Sequence, residues 1–527
     1  MSNKKIAARR REARSHSPDA RVVKIRTEGK GNGVFKTLFI GLLILAQIAL
    51  LLTLYLGFLG SFVWYQLAAF IISFLCCLRV LSSDKTGQTK TVWILFLLLF
   101  YTFSFIAYIM SDETVCFGWA KRRYKKIFNR TSQLDLEYHE VYGVSDVVKK
   151  DTEYLWNTGN FTAYTNSQLK YYPSGAGLFD DVLESLKTAQ KFIFIEFFIV
   201  TDGVLLNRFY DILSKKAAEG VEVRFICDGM GSHRTLSLKM RKKLKKAGVK
   251  LKFFNRIVPL FTFALNLRDH RKIVVVDGKV AYTGGCNLAD EYVNEKRMHG
   301  YWKDAGLKVE GEAVRGLSLT FLRQWEFVTK KVEDYAPFLE TVPVEGSSAV
   351  VPYADGKDYK HNICKGVFAN VIAGATQKLY IMTPYFVPDE DTSNLLAQKA
   401  LSGVDVRLVL PEVPDKSYVY SVSVDNAERL LSSGVKIYKM RRAFVHSKVM
   451  LSENCAVIGS ANIDLRSYYN QFENMVYFND ASAMEEVAQD FEKTFTVSEE
   501  ITEDNATRKK RLPRYIAAVL RIFSPLM

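Results

Sequence analysis

The sequence predicts an α/β protein with two similar domains, preceded by a helical membrane region near the N-terminus. Three observations lead to this fold class. The first 110 residues contain long runs without a charged side chain, and the chain beyond about residue 150 contains the same blocks twice in the same order. Within each copy, strand-like runs alternate with helical patterns, which is typical of an α/β layered domain with a mostly parallel sheet.

The composition limits the possible partners. The 527 residues are 48% hydrophobic and 13% aromatic, and the formal net charge is +16. A chain of this length exceeds one ordinary core, and a charge of this sign fits an anionic membrane surface or nucleic acid. The seven cysteines lack the spacing of a zinc site. We therefore expect no metal, no disulfide framework and no cofactor.

The N-terminal third combines a basic arm with three apolar runs. Residues 1–34 are rich in lysine and arginine and poor in large apolar side chains, which predicts disorder in solution. Within a membrane region at 35–110, the runs at about 37–59 and 61–80 are each long enough to cross about 30 Å of hydrocarbon. A third run, at 92–110, is also long enough.

The third run brings the number of spans into conflict with the charge distribution. Three crossings from a cytoplasmic N-terminus would place the remaining chain outside the cell. However, six basic residues lie between positions 121 and 130, and such a cluster resists export. We therefore expect a multi-pass protein with two full spans, a re-entrant or interfacial third helix, a basic linker at 111–150 and a cytoplasmic main body.

The internal duplication consists of four matching blocks, from which we predict domains at 151–345 and 346–500. The blocks are 185–200, 220–229, 247–255 and 268–287 in the first copy, and 371–388, 403–412, 433–440 and 445–462 in the second. Two similar domains can pack about a pseudo-twofold axis. That packing would bring equivalent strand ends into one shared cleft.

Each copy carries a histidine and a lysine two residues apart on a predicted strand, so both side chains project from the same face. The pairs are His270 with Lys272 and His446 with Lys448. Each pair is followed by a short segment with glycine and asparagine, namely Gly284-Gly285-Cys286-Asn287 and Gly459-Ser460-Ala461-Asn462. A lone histidine on a strand is more often a core residue, but two matching sets favour a functional site.

These residue types suit a phosphodiester. Two ammonium groups, two amides and a hydroxyl can neutralise the additional charge on pentacoordinate phosphorus without a metal. We predict that the substrate phosphate is bound by Gly285, Asn287, Ser460 and Asn462. A neutral imidazole can attack phosphorus to give a phosphohistidine, and a second, protonated histidine can then supply the leaving alcohol with a proton.

At these residues the chain resembles the phospholipase D superfamily, whose signature is H-x-K-x4-D-x6-G-[GS]-x-N. The first copy reproduces the signature in full, with Asp277 as its acidic residue. The second copy has lost one residue from the hairpin. Counting from His446 places Glu453 at the acidic position, whereas counting back from Asn462 places Ser452 there. The resemblance implies that this residue supports the motif, with Asp277 and Glu453 as the expected pair.

The resemblance also implies a carboxylate beside each histidine, which would fix its tautomer and hold its charged form. We assign this role to Asp304 in the first copy and to Glu473 in the second.

Within the superfamily the chain is similar to the bacterial cardiolipin synthases. The resemblance includes the apolar hairpin, NLRDHRKIVVVDG, GGCNLADEYVNE, IMTPYFVPD and the terminal SPLM. It implies transfer of a phosphatidyl group from one phosphatidylglycerol to a second, with release of glycerol. His270 would be the nucleophile and His446 the general acid and then base, with the reverse assignment left open.

Four other interpretations of the sequence differ in what the site would do. A hydrolytic phospholipase D would use water as acceptor, and a transphosphatidylase would use another alcohol. A nuclease is disfavoured by the apolar runs and by the lack of a stacking platform near the motifs, and an inactive membrane scaffold would keep only the fold. We expect phosphatidylglycerol and anionic membrane lipid as partners, and no nucleic acid. A basic amphipathic tail at 501–527 would either lie on anionic lipid or dock on the body of the enzyme itself.

Overall fold

We analysed a computed structural model of the chain. It describes residues 63–83, 85, 87–111, 118–134, 138–255, 267–346 and 349–506, together with Ala49 and Thr53. The predicted basic arm, nearly all of the run at 37–59, and the tail from residue 507 lie outside the described residues.

Three helices form the described part of the predicted membrane region: α1 (Val63–Leu81), α2 (Gly87–Leu99) and α3 (Tyr101–Ser111). Of the helices in the described ranges, α1 is the one long and apolar enough to cross a bilayer. The run at 92–110 is divided at Phe100 into two shorter helices, and both pack against α1. The Ser73 hydroxyl of α1 donates a hydrogen bond of 2.8 Å to the Tyr101 carbonyl, which lies at this division.

The segment predicted as a basic linker at 111–150 contains one helix of the folded body and the start of a second. Helix α4 (Gly118–Thr131) packs against α9 (Val314–Thr329), and α5 (Asp146–Gly159) packs against α10 (Ile363–Gly374). Tyr124 and Ile127 of α4 are buried in the main hydrophobic core. The chain therefore passes from the membrane helices to the body through docked helices.

The first domain is built on a seven-stranded sheet in the order β1-β9-β7-β6-β2-β3-β4. Its strands are β1 (Ser167–Tyr172), β2 (Phe192–Phe197), β3 (Glu222–Asp228), β4 (Lys250–Phe254), β6 (Lys272–Val276), β7 (Val280–Gly284) and β9 (Gly306–Gly311). Two short strands, β5 (Arg268–Asp269) and β8 (Tyr301–Lys303), leave this sheet. Its remaining helices are α6 (Gly175–Thr188), α7 (Val204–Ala218) and α8 (Leu238–Lys246).

The second domain repeats this sheet in the order β10-β19-β17-β16-β11-β13-β14 and adds β20 at the edge. Its strands are β10 (Val350–Asp355), β11 (Lys378–Met382), β13 (Asp405–Pro411), β14 (Lys436–Met440), β16 (Val449–Ser452), β17 (Ala456–Gly459), β19 (Gln471–Phe478) and β20 (Ser498–Ile501). Shorter strands are β12 (Phe386–Val387), β15 (Ala443–Val445) and β18 (Ile463–Asp464). The helices are α11 (Glu390–Leu401), α12 (Ser417–Glu428), α13 (Leu465–Tyr469), α14 (Ala481–Thr496) and α15 (Glu503–Ala506).

The matching strand orders confirm the duplicated α/β organisation, but the prediction of a mostly parallel sheet is wrong. In the first sheet only the pairs β2–β3 and β3–β4 are parallel, and the other four pairs are antiparallel. Helices α7 and α8 provide the crossovers that parallel pairing requires. Each motif strand instead belongs to a tight antiparallel hairpin, β6–β7 or β16–β17.

The two sheets share one apolar core. Helix α9 follows β9 and packs on β10 of the second domain, while α14 follows β19 and packs on β1 of the first. Phe321 of α9 stacks on Phe194 with ring centroids 4.5 Å apart, and both side chains are fully buried. Each domain thus completes the core of the other.

The two domains also exchange backbone hydrogen bonds at the strands that carry the motifs. Strand β5 pairs in parallel with β19, and β15 pairs in parallel with β8. The His270 amide donates to the Phe472 carbonyl at 2.8 Å, and the His446 amide donates to the Lys303 carbonyl at 2.7 Å. Such reciprocal contacts are what a twofold relation between similar units requires.

The acidic residues of the two motifs hold the opposite end of the motif hairpins. The Asp277 carboxylate accepts hydrogen bonds of 2.7–2.9 Å from the backbone amides of Gln190, Lys191 and Phe192. Glu453 accepts from the three equivalent amides, those of Thr376, Gln377 and Lys378, at 2.6–3.3 Å. The second hairpin is one residue shorter, and the longer glutamate side chain spans the difference.

This geometry favours Glu453 over Ser452 at the second acidic position. The Ser452 hydroxyl stays within its own turn, where it accepts from the amides of Asn454 and Cys455 at 3.2 Å. Asp277 and Glu453 lie at the far ends of their strands from the histidines, so the structure does not bring them into the cleft.

We predict that Asp277→Ala lowers the free energy of unfolding by about 1–3 kcal/mol, because three amides, that of Phe192 fully buried, lose their charged acceptor. Asp277→Asn keeps one acceptor oxygen and should lose less. The measurement is the thermal unfolding midpoint of the detergent-solubilised variants. An unchanged midpoint combined with lost turnover per folded molecule would show instead that Asp277 takes part in the chemistry.

Candidate active site

His270 lies where the first motif meets the second domain. Its Nδ1 is 2.9 Å from Oε2 of Glu473 and 3.1 Å from Oε1. Because an ionised carboxylate only accepts hydrogen bonds, Nδ1 carries the hydrogen and Nε2 keeps its lone pair. Glu473 therefore holds the tautomer that a nucleophile or a general base needs.

His446 repeats this arrangement with the roles of the domains exchanged. Its Nδ1 is 2.7 Å from Oδ2 of Asp304. Asp304 and Glu473 occupy equivalent positions, two residues before the partners of Gly284 and Gly459 in the sheets. The prediction that each carboxylate serves the histidine of its own copy is wrong, because both pairs cross between the domains.

Burial controls the protonation of both histidines. Each is 7% exposed, and burial lowers the pKa of His270 to about 4, a shift that the negative Glu473 opposes. Burial also lowers the pKa of His446 to about 4, with a further contribution from Lys448, whose Nζ lies 2.9 Å from Nδ1. Both imidazoles are therefore neutral near neutral pH, before a substrate anion enters.

The two motif lysines lie beside the histidines in the same buried volume. Lys272 and Lys448 each donate a hydrogen bond to the backbone carbonyl of the histidine two residues before them. Burial lowers the pKa of Lys272 to about 7 and that of Lys448 to about 8, although Glu473 and Asp304 oppose the shifts. An anionic ligand would reverse this effect, because it favours the charged ammonium form.

Glu473 and Asp304 remain ionised in this setting. Burial alone would raise the pKa of each carboxyl group, but the neighbouring histidine and lysine keep both below their ordinary values. The hydroxyls of Ser460 and Ser467 also donate to Glu473, the latter at 2.8 Å. Asp304 accepts instead from the Ala305 amide at 2.9 Å.

Gly285 and Ser460 are equivalent residues with different tasks. A Cβ at Gly285 would lie 2.1 Å from Oδ1 of Asp304, so glycine is required for the shorter carboxylate to reach its place. Ser460 fills the corresponding space and hydrogen-bonds to the longer Glu473. In the structure both residues position carboxylates.

The two asparagines hold the loops that follow the hairpins. Asn287 accepts from the Ile199 amide at 3.1 Å and donates to the Tyr292 hydroxyl at 2.7 Å. Asn462 donates to Asp464 at 3.1 Å, and its buried Oδ1 has no hydrogen-bond partner among the described residues. A phosphate contact would require these amides to exchange partners, so phosphate binding by them stays a prediction.

Several residues that shape the site carry no motif in the sequence. Tyr292, Trp302 and Phe444 surround His446 with ring centroids 5.3–5.7 Å away, and Phe198 lies 5.1 Å from His270. These rings exclude water and explain the depressed pKa values of both histidines.

Arg271 is a further residue that sequence reasoning missed. It is 2% exposed, and it donates to the backbone carbonyls of Glu473 at 3.3 Å and Asp355 at 3.4 Å. Arg271 thus ties the first motif to two strands of the second domain. Its position between His270 and Lys272 is the only sequence signal that could have identified it.

Comparisons with known proteins agree with this arrangement. A family model described as "Cardiolipin synthase, PLD-like domain" matches residues 182–299 and 368–495, one segment in each domain. Cardiolipin synthase 2 of Bacillus anthracis is 34% identical over 88% of this chain and 91% of that protein. Cardiolipin synthase of Alkalihalophilus pseudofirmus is 32% identical over 89% of this chain and 96% of that protein.

A solved structure supports the fold independently. Phosphatidylserine synthase of Haemophilus influenzae aligns over 72% of this chain and 98% of its own length, with a TM-score of 0.55 and 15% identity. The identity is too low to transfer an activity, so this likeness concerns the fold alone. The similarity of the two relatives over most of their length, together with the match to the family model in each domain, shows that the chain belongs to the cardiolipin synthase family of proteins with phospholipase D-like domains.

Proposed function

We propose that the protein is a phosphatidyltransferase that makes cardiolipin and glycerol from two molecules of phosphatidylglycerol. One observation carries this proposal: two buried histidine–lysine pairs, each with its histidine oriented by a carboxylate of the other domain, lie close enough that each lysine lowers the pKa of the histidine of the other pair. The names of the two relatives support the choice of lipid substrate and product.

The first half of the reaction forms a covalent intermediate. Nε2 of His270 attacks the phosphorus of the first phosphatidylglycerol, and the bond from phosphorus to the glycerol oxygen breaks. His446 gives its proton to that oxygen, so glycerol leaves and a phosphatidyl-histidine remains. The negative phosphodiester and Asp304 favour the protonated form of His446 that this step needs.

The second half reverses these roles. Neutral His446 accepts the proton of a free hydroxyl of the second phosphatidylglycerol, whose oxygen attacks the phosphorus. The bond from phosphorus to His270 breaks, and the product is cardiolipin. Lys272 and Lys448 stabilise the negative charge on the phosphoryl oxygens in both steps. The choice of His270 as nucleophile follows the family resemblance of the complete first motif.

We also propose that the catalytic domains lie on the cytoplasmic side of the bacterial cell membrane and that the chain crosses the membrane more than once. The apolar helix α1 and the exposed large side chains on it, such as Trp64 and Phe70, support membrane insertion. The basic residues of α4, which follows α3 closely, favour a cytoplasmic position.

The reaction predicts specific products from one lipid. Purified protein given labelled phosphatidylglycerol alone should release cardiolipin and glycerol in equal amounts. Both His270→Ala and His446→Ala should lower this turnover by at least about 1,000-fold, because each removes a chemical step. Thin-layer chromatography with glycerol detection provides the measurement. Phosphatidic acid as the main product would identify a hydrolase, and full activity in either variant would contradict the mechanism.

The proposed topology predicts protection of the catalytic domains from outside. A single exposed cysteine, introduced as Lys187→Cys on α6, should react with a membrane-impermeant thiol reagent only after intact cells are opened. The native cysteines in the described ranges are buried and free, so they should contribute little labelling. Equal labelling in intact and opened cells would place the domains outside.

A further inference from the structure

We propose that the exposed basic face of helix α4 binds the headgroups of anionic phospholipids and so holds the catalytic domains against the membrane surface. The face is defined by Lys121, Arg122, Lys125 and Lys126. This inference concerns a surface outside the active site and does not depend on the reaction proposed above.

The opposite face of α4 is fixed to the body of the enzyme. Tyr124 donates from its hydroxyl to Gln324 at 2.7 Å, and its ring stacks on Phe327 with centroids 3.8 Å apart. At the end of the helix, Arg130 forms a salt bridge with the buried Glu326. A helix anchored in this way cannot turn, so the direction of its outer face is determined by the fold.

The outer face is strongly basic. Successive helical residues are about 100° apart, which places Arg122, Lys125 and Lys126 on the side opposite Tyr124 and Ile127, with Lys121 at the edge of that side. All four are exposed, and none forms a salt bridge with another residue in the described ranges. Helix α4 contains no acidic residue, so its charge is not neutralised within the helix.

The position of α4 in the chain selects a membrane as the partner. Helix α3 ends at Ser111 and α4 begins at Gly118, and seven residue steps span at most about 25 Å. Trp119, at the start of α4, is 52% exposed, and tryptophan prefers the boundary between lipid and water. Charge, aromatic anchor and distance from the membrane helices therefore favour the same surface.

The binding strength follows from the number of charges. Each lysine or arginine near an anionic leaflet strengthens attachment by roughly fivefold, from about 1 kcal/mol per residue. The four residues act together because the docking of α4 on α9 already fixes the helix that carries them. The attraction should weaken in salt, since the Debye length at 0.1 M is about 10 Å.

The test places a fluorescent label on this face in the full-length chain. Asn129→Cys is exposed on the same side of α4, and Cys116→Ser removes the one native cysteine outside the described residues, while the other six are buried. The labelled protein is reconstituted into phosphatidylcholine vesicles with increasing phosphatidylserine and a headgroup-quencher lipid. Phosphatidylserine supplies negative charge without being the proposed substrate.

Two charge variants provide the comparison. The first changes the four residues of the α4 face to glutamine. The second is a matched control that also introduces four glutamines and so removes the same net charge from another surface. It replaces four exposed lysines of α8, namely Lys239, Lys242, Lys245 and Lys246.

We expect phosphatidylserine to increase quenching of the label in the parent protein and in the α8 control. The α4 variant should need at least about fivefold more phosphatidylserine for the same quenching. A label that lipid quenchers do not reach in the parent protein would overturn the proposal, as would equal losses in the α4 and α8 variants. A label that the lipid quenchers do not reach would show that this face is turned towards solvent or another protein.

Discussion

The hydrogen bonds that cross from each histidine to a carboxylate of the other domain are the interaction on which the active site depends. Glu473 orients His270 and Asp304 orients His446, so neither domain alone contains a complete histidine–carboxylate pair. Removal of one partner leaves the other as a buried polar group that has lost a hydrogen bond, typically at a cost of about 1–3 kcal/mol, and more where that group is charged. Activity and domain association are therefore coupled through the same contacts.

The rest of the fold keeps these two pairs in register. Asp277 and Glu453 fix the hairpins at one end, while β5 with β19 and β8 with β15 fix the other end across the boundary. The exchange of α9 and α14 between the domains adds an apolar core that resists separation. An active site built at such a boundary requires precise docking of the two domains, and these contacts supply it from several directions.

Sequence reasoning identified the duplication, both histidine–lysine pairs and both orienting carboxylates. It could not assign the carboxylates to the right histidines, because proximity in the chain says nothing about which residues meet between two domains. It also predicted a mostly parallel sheet from the alternation of strand and helix. In the first domain this alternation holds only from β2 to β4, and the remaining strands form antiparallel pairs. Contacts that depend on the assembled pair, such as those of Arg271 and Tyr292, leave no local pattern.

In the proposed reaction, His270 carries the phosphatidyl group between donor and acceptor. The most direct measurement is a rapid quench, in alkaline detergent, of the protein mixed with phosphatidylglycerol labelled at phosphorus, followed by peptide mass spectrometry. We expect label on the peptide that contains His270, no label in His270→Ala, and slower appearance of the label in His446→Ala, because His446 supplies the proton to the leaving glycerol. Formation of cardiolipin without any label on the protein at the earliest times would contradict the account.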